Sequence, residues 1–260
     1  MYKILTCISV ETTKFYKSKI PLITILALSL VPFAGGFFMF ILKDPTMALK
    51  LGFISSKAQI IGTADWASYF MLLSQAIAIG GLLVFGFVYS WIFGREYSDR
   101  TIKDLLALPV SRNNIVISKF IVAIFWCLIL SIIVFVLGLI VGNIVDIPFW
   151  TQEIMIQGIL VFILCSILTI LVSMPVAFFA SFGHGYLSPL GFMIFTLVIA
   201  QIVAATGYGH FFPWSIPAIA SGVTGNDSAI IEGISIVIVF VTCVLGIVST
   251  ILWWRYADHY

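Results

Sequence analysis

Long apolar stretches alternate along the chain with short polar ones. The apolar stretches cover residues 20–42, 67–93, 115–141, 154–180, 187–205 and 229–254. A bilayer hydrocarbon core about 30 Å thick needs roughly 20 apolar residues in helical form, and each stretch meets that length. Inside lipid a segment must satisfy its own backbone hydrogen bonds, which predicts helices rather than loops. The two-residue alternation of a lipid-facing barrel is absent. The pattern therefore predicts an all-α polytopic membrane protein with six transmembrane helices, in a single domain over 1–260.

Composition points the same way. Of 260 residues, 62% are hydrophobic and 9% are charged, whereas soluble domains run near a quarter charged. Soluble enzymes and nucleic-acid-binding modules are excluded, and membrane lipids are the expected surroundings. The basic residues orient the chain. With both termini cytoplasmic, the inside holds Lys3, Lys14, Lys17, Lys19, Arg95, Arg100, Lys103, Arg112, Lys119 and Arg255. The outside holds Lys43, Lys50 and Lys57. The first apolar stretch is too long for a secretory signal and lacks a clear cleavage site, so it reads as a span. Cys7, Cys127, Cys165 and Cys243 form no C-x-x-C pair and read as small buried hydrophobes.

Residues 1–19 read as a cytoplasmic interfacial helix. At 100° per residue, Met1, Ile4, Leu5, Ile8, Phe15 and Tyr16 share one side, opposite Lys3, Thr6, Thr13, Lys14 and Lys17. A plain positively charged tail is the alternative. Between spans five and six, the stretch 206–220 is apolar, aromatic and twice broken by proline. It reads as a re-entrant or interfacial outer segment. Pro175 predicts a kink in the fourth span, with Ser173 near the freed carbonyl.

Seven of the 24 charged residues fall in 94–114: Arg95, Glu96, Asp99, Arg100, Lys103, Asp104 and Arg112. A tight turn would not need them. Thr101 and Asp104 have capping-box spacing, and Ile102, Leu105 and Leu106 make one apolar stripe. Pro109 ends this short helix, and Ser111 is placed to cap the next. Such a helix suits the headgroup region or a groove on a partner protein.

The run from Glu96 to Arg112 resembles the signature between the second and third spans of ABC type-2 exporter permeases. That pattern is an acidic residue, a turn ending in Gly-Thr or Arg-Thr, then Leu-Leu, then Pro-x-Ser-Arg. Asp99-Arg100-Thr101 stands where many members have Arg-Lys-Gly-Thr. Lys119 matches a lysine that often opens the next span. The stretch Phe212-Pro-Trp-Ser-Ile-Pro217 resembles the outer segment of the bacitracin- and lantibiotic-immunity-type branch. The resemblance implies a transport subunit, not an enzyme, in a prokaryotic cytoplasmic membrane. It would work with separate ABC ATPase subunits and with a second permease copy, as homodimer or heterodimer. Residues 94–114 would be the coupling region, with Glu96, Asp99, Arg100, Thr101, Leu105, Leu106, Pro109, Ser111 and Arg112 meeting the ATPase. The chain holds no G-x-x-x-x-G-K-[ST] motif, so ATP and magnesium belong to the partner and no cofactor or metal is expected here.

Small residues recur at Gly86, Ser90 and Gly94, and at Gly138 and Gly142. They suit close helix packing, either as a dimer seam or within one chain. No span carries a clear central charge, which argues against proton- or sodium-driven carriers. The mild polar residues Gln75, Gln157, Ser173 and Gln201 are candidates for a substrate path. A path so apolar suits an amphipathic or hydrophobic cargo: a peptide antibiotic, a drug or a lipid-like compound. The alternative is an ATP-independent carrier, or a scaffold that binds a cytoplasmic partner through 95–112.

Overall fold

A computed structural model describes residues 2–44, 63–107, 109–222 and 232–257. Lys50, Lys57, Leu108 and positions 229–231 therefore lie outside the described residues. The helices are α1 (Tyr2–Tyr16), α2 (Ile20–Lys43), α3 (Trp66–Ser98), α4 (Ile102–Leu106) and α5 (Arg112–Val145). They continue as α6 (Gln152–Ser173), α7 (Val176–Phe182), α8 (Leu187–Ala205), α9 (Ile216–Ala220) and α10 (Gly233–Tyr256). Six helical stretches are long and apolar enough to cross a membrane, with α6 and α7 together making the fourth. The described residues are all-helical, and the six expected spans are present.

Side chains start several of these helices. Asp65 Oδ1 accepts from the Ser68 amide at 2.7 Å, Ser111 Oγ from Asn114 at 3.3 Å, and Thr151 Oγ1 from Ile154 at 3.2 Å. Each satisfies one amide that has no intrahelical acceptor. The central element is α3, where Tyr69, Leu73, Ile77, Phe85, Val88, Tyr89 and Phe93 are completely buried. It lies against α2, α5, α6, α7 and α8. The outer faces of α2, α8 and α10 carry exposed Leu30, Phe195 and Phe240, as helices do when their surroundings are apolar.

Glycines let these helices approach closely. A Cβ at Gly86 would run into Met193, one at Gly142 into Trp66, and one at Gly138 would lie 2.5 Å from Leu73. At Gly94 it would lie 3.0 Å from the Gly185 carbonyl oxygen, and Ser90 is fully buried. All five small residues are buried within one chain, Gly86, Gly138 and Gly142 against neighbouring helices and Gly94 against the turn at Gly185. The seam between subunits that the second-span stripe suggested is thereby used up inside the molecule.

The fourth span breaks at Met174-Pro175, as the proline predicts. Ser173 Oγ donates to the Thr169 carbonyl at 2.7 Å, so it does not serve the carbonyls freed by the break. Trp214 does: its Nε1 donates to Val172 O at 3.0 Å. Trp214 belongs to the segment 206–222, which folds back among the helices. Val172 lies roughly 30 Å along α6 from Gln152, at 1.5 Å per residue. Ala220 and Ser221, by contrast, line a cleft with Ala67 and Ile154 near the start of α6. The segment thus enters the bundle and returns. Its polar groups are met by protein: Ser215 Oγ donates to Gly209 O at 2.5 Å, and Ser235 Oγ donates to His210 O at 3.0 Å.

Cysteines placed at Gly86 or Ser90 should form no disulfide between chains under oxidising conditions, read on non-reducing gels. An intermolecular band at either position would contradict this packing. Gly142→Leu should cost about 1–3 kcal/mol by overpacking, seen as a lower thermal midpoint in detergent.

Candidate functional site

The charged segment 95–112 lies at the end of the bundle where α1 and the last turn of α10 also meet. It begins as α3 stops. The Thr101 amide donates to Glu96 O at 2.9 Å and the Arg100 amide to Tyr97 O at 3.2 Å. This paired closure needs a left-handed residue after the helix, usually glycine. Arg100 takes that conformation with φ 58°, which explains why the resembling family often has Gly there. Thr101 makes no side-chain cap bond, so the expected capping box does not form; the Schellman closure of α3 places the turn instead. Ile102 is buried and Leu105, Leu106 and Val110 pack against the core. Asp99, Arg100, Thr101, Lys103, Asp104, Ala107 and Pro109 face outward, mixing both charge signs. Ser111 caps α5, as its position predicts.

Beneath this surface lies a cluster of four charges. The Lys119 side chain is fully buried, and its Nζ donates to Glu96 Oε1 at 2.7 Å, Glu11 Oε2 at 3.0 Å and Ile92 O at 2.9 Å. All three ammonium protons are used. Lys14 Nζ donates to Glu11 Oε1 at 2.9 Å and stands 3.4 Å from Glu96 Oε1. Two cations and two carboxylates balance, as buried charges require. Burial raises the affinity of the Glu11 carboxyl for a proton; the Lys119 and Lys14 ammoniums outweigh it and hold the group below its ordinary 4.5.

This cluster fixes α1. Glu11 and Phe15 turn inward, and Phe15 sits edge-on to Trp91 at 5.5 Å and to Trp126 at 5.3 Å. Leu5, Val10 and Tyr16 are exposed, so the inward stripe is narrower than the sequence grouping, which put Leu5 and Tyr16 with Phe15. The Glu11–Lys119 pair had only indirect signals: a carboxylate on the edge of an amphipathic helix, and a lysine opening a span.

Of the residues expected to face a partner, Glu96 turns inward, while Arg112 is exposed and also binds within the chain. Glu96 is 3% exposed, and its carboxylate serves Lys119. Arg112 donates from Nη1 to the carbonyls of Trp254 and Arg255, both at 3.1 Å. Arg95 bridges Asp99 at 3.2 Å and lies over the Trp91 ring.

The four candidate path residues do not share a path in this chain. Gln157 lines a cleft of about 220 Å³ with Ser74, Phe70 and Ser221. Gln201 borders a separate crevice of about 30 Å³ beside Trp214 and Ala218. Ser173 is buried against its own helix, and Gln75 is half-buried on α3.

Lys119→Met should destabilise the protein by about 3–5 kcal/mol, because it leaves two buried carboxylates with only Lys14, a partly exposed cation, between them; thermal unfolding in detergent would measure it. Acid should release α1. A lowered Glu11 pKa contributes stability that is complete above the ordinary 4.5 and lost as pH falls through the lowered value. Protease cleavage near residue 17 should therefore rise in acid, and Glu11→Gln should show the rise already at neutral pH.

Comparison with known proteins agrees with this architecture. The profile of ABC-2 family transporter proteins matches residues 7–201. The bacitracin transport permease protein BCRB of Bacillus licheniformis is 30% identical over 179 residues, covering 68% of this chain and 85% of that one. With six helices able to span a membrane, the chain belongs to the ABC-2 family of transporters, as a multi-pass membrane permease.

Proposed function

We propose that the chain is the transmembrane subunit of an ATP-driven ABC exporter and that a separate ATPase docks on its segment 95–112. The observation that carries this reading is a short helix with outward Lys103 and Asp104, in a segment that starts at Glu96 of the buried Lys119–Glu96–Glu11 cluster. A partner gripping such a helix pushes on a base that cannot slide freely. The ten-to-three distribution of basic residues supports a cytoplasmic position for this end and both termini, and the reading puts the complex in a prokaryotic cytoplasmic membrane. Magnesium and ATP would be held by the partner, and a second permease copy would complete the translocation path.

The cargo is an amphipathic or hydrophobic compound taken from the membrane. The apolar lining of the cleft around Phe70, Met71 and Val161 suits that chemistry, and the transport of bacitracin by a relative makes peptide antibiotics the first cargo to try. Docking in this reading runs through the outward residues; Glu96 shapes the surface from behind, and Arg112 ties its end to α10.

The test is a mild-detergent pull-down of the tagged chain from its native membrane, with ATPase activity assayed on the eluate. Wild type should bring down a P-loop ATPase. Lys103→Glu combined with Asp104→Lys should lose most of it, at least tenfold, while keeping its thermal midpoint. Wild type that is well folded yet carries no ATPase would instead support the partner-free carrier or scaffold.

A further inference from the structure

Segment 95–112 is fastened at both ends, and its two fastenings lead to different helices. Glu96 at the start joins Lys119 of α5 and, through it, Glu11 of α1. Arg112 at the end reaches the last turn of α10, where its Nη1 meets two carbonyl oxygens. The final carbonyls of a helix have no intrahelical donor, and a cation there also meets the negative end of the helix dipole. The Ala257 amide serves the Trp253 carbonyl; Arg112 serves the next two. Ser111 fixes the place from which Arg112 reaches, since it caps α5 at that point.

Besides the Arg112 bonds, the last turn of α10 makes a directional bond to a neighbour, from Trp254 Nε1 to Ser181 Oγ of α7 at 2.9 Å; the contact around it is largely apolar or aromatic. The Trp254 ring stands 6.1 Å from Tyr97, Gly246 lies against Pro175, and Cys243 faces Met174. Apolar packing is non-directional and lets one helix slide along another. Hydrogen bonds from one planar guanidinium to two successive carbonyls fix position along the helix axis as well as distance. At its far end α10 holds the inserted segment, through Ser235 Oγ and the His210 carbonyl at 3.0 Å. A continuous line of bonded elements thus runs from α4 through Arg112 and α10 to residues 206–222.

We propose that Arg112 is a positioning residue that makes α10 follow segment 95–112, so that a push on α4 is delivered to the inserted segment at the other end of α10. This rests on reading 95–112 as the ATPase-docking segment. Arg112 needs no contact with the ATPase to act in this way. Its guanidinium is committed to the chain's own last helix.

The experiment uses the permease purified with its ATPase. Spin labels are placed at Ala107→Cys, just past the end of α4 and away from the Lys103–Asp104 docking pair, and at Leu252→Cys on α10, both exposed, in a Cys7→Ser background. The distance between labels is measured in the ATP-free and the vanadate-trapped complex. In wild type the distance should be the same in both states. In Arg112→Gln it should shift on trapping, or its distribution should broaden, while Arg112→Lys, which keeps the charge without the fork, should fall between. A distance that changes on trapping in wild type overturns the proposal. So does one that stays constant in Arg112→Gln, even if that variant has a lower thermal midpoint, because such a residue is only structural. If no ATPase accompanies wild type, the docking reading falls first and this proposal falls with it; if ATPase is present and trapped, the proposal stands or falls alone.

Discussion

A buried ammonium group must be neutralised, and in this molecule that requirement decides how the charged end is built. Lys119 has no exposed surface, and an isolated charge removed from water costs several kcal/mol even after relaxation. The compensating carboxylates come from two other elements, Glu11 of α1 and Glu96 at the end of α3. With Ile92 O taking the third proton, α1, α3 and α5 have few relative positions left. The N-terminal helix is thereby an integral part of the bundle. Its lysine and glutamate, which look like an ordinary solvated face, complete a four-charge set.

A second constraint is the accounting of backbone carbonyls in an apolar interior. Each place where a helix breaks or stops leaves acceptors without an intrahelical donor. The structure meets them with side chains from distant elements: Trp214 for Val172, Arg112 for Trp254 and Arg255, and Lys43 for Val145 and Asp146. Such bonds join elements far apart in sequence, so the breaks in the helices also serve as joints between them. Small residues do the complementary work along the shafts, where Gly36, Gly86 and Gly142 admit Val141, Met193 and Trp66.

The spans were legible because lipid thickness imposes a length and excludes charge within it, and both are visible one residue at a time. Helix starts at Ser111 and the break at Pro175 were legible for the same reason, since the cause lies in the residue itself. The charge cluster was not. Glu11 and Lys119 are far apart in sequence, and nothing local distinguishes a lysine that will be buried from one at an interface. The glycine stripe was ambiguous because the same small residues suit a neighbour in the same chain or in another. Thr101 and Asp104 had the right spacing for a cap, but the left-handed Arg100 had already closed α3 and set the turn. The docking set mixed two kinds of residue. Lys103 and Asp104 face out, Glu96 is turned inward to Lys119, and Arg112 is exposed but bonded to the end of α10, and only contacts tell them apart.

The length of α4 explains why its fastenings matter. It has five residues, and an isolated helix shorter than about 12–15 residues is marginal in water. A segment so short cannot carry a load by its own stiffness. It keeps its shape because Ile102 is buried, Leu105 and Leu106 rest on the core, and charged anchors stand at either end. A force on Lys103 or Asp104 therefore divides between α3 with α5 on one side and α10 on the other, in proportion to how stiffly each anchor holds. The buried Glu96–Lys119 bond is shielded from solvent, whereas the bonds of Arg112 are partly exposed. The Glu96–Lys119 side keeps the frame of the bundle, and on the other side Arg112 passes a partner's motion on to α10.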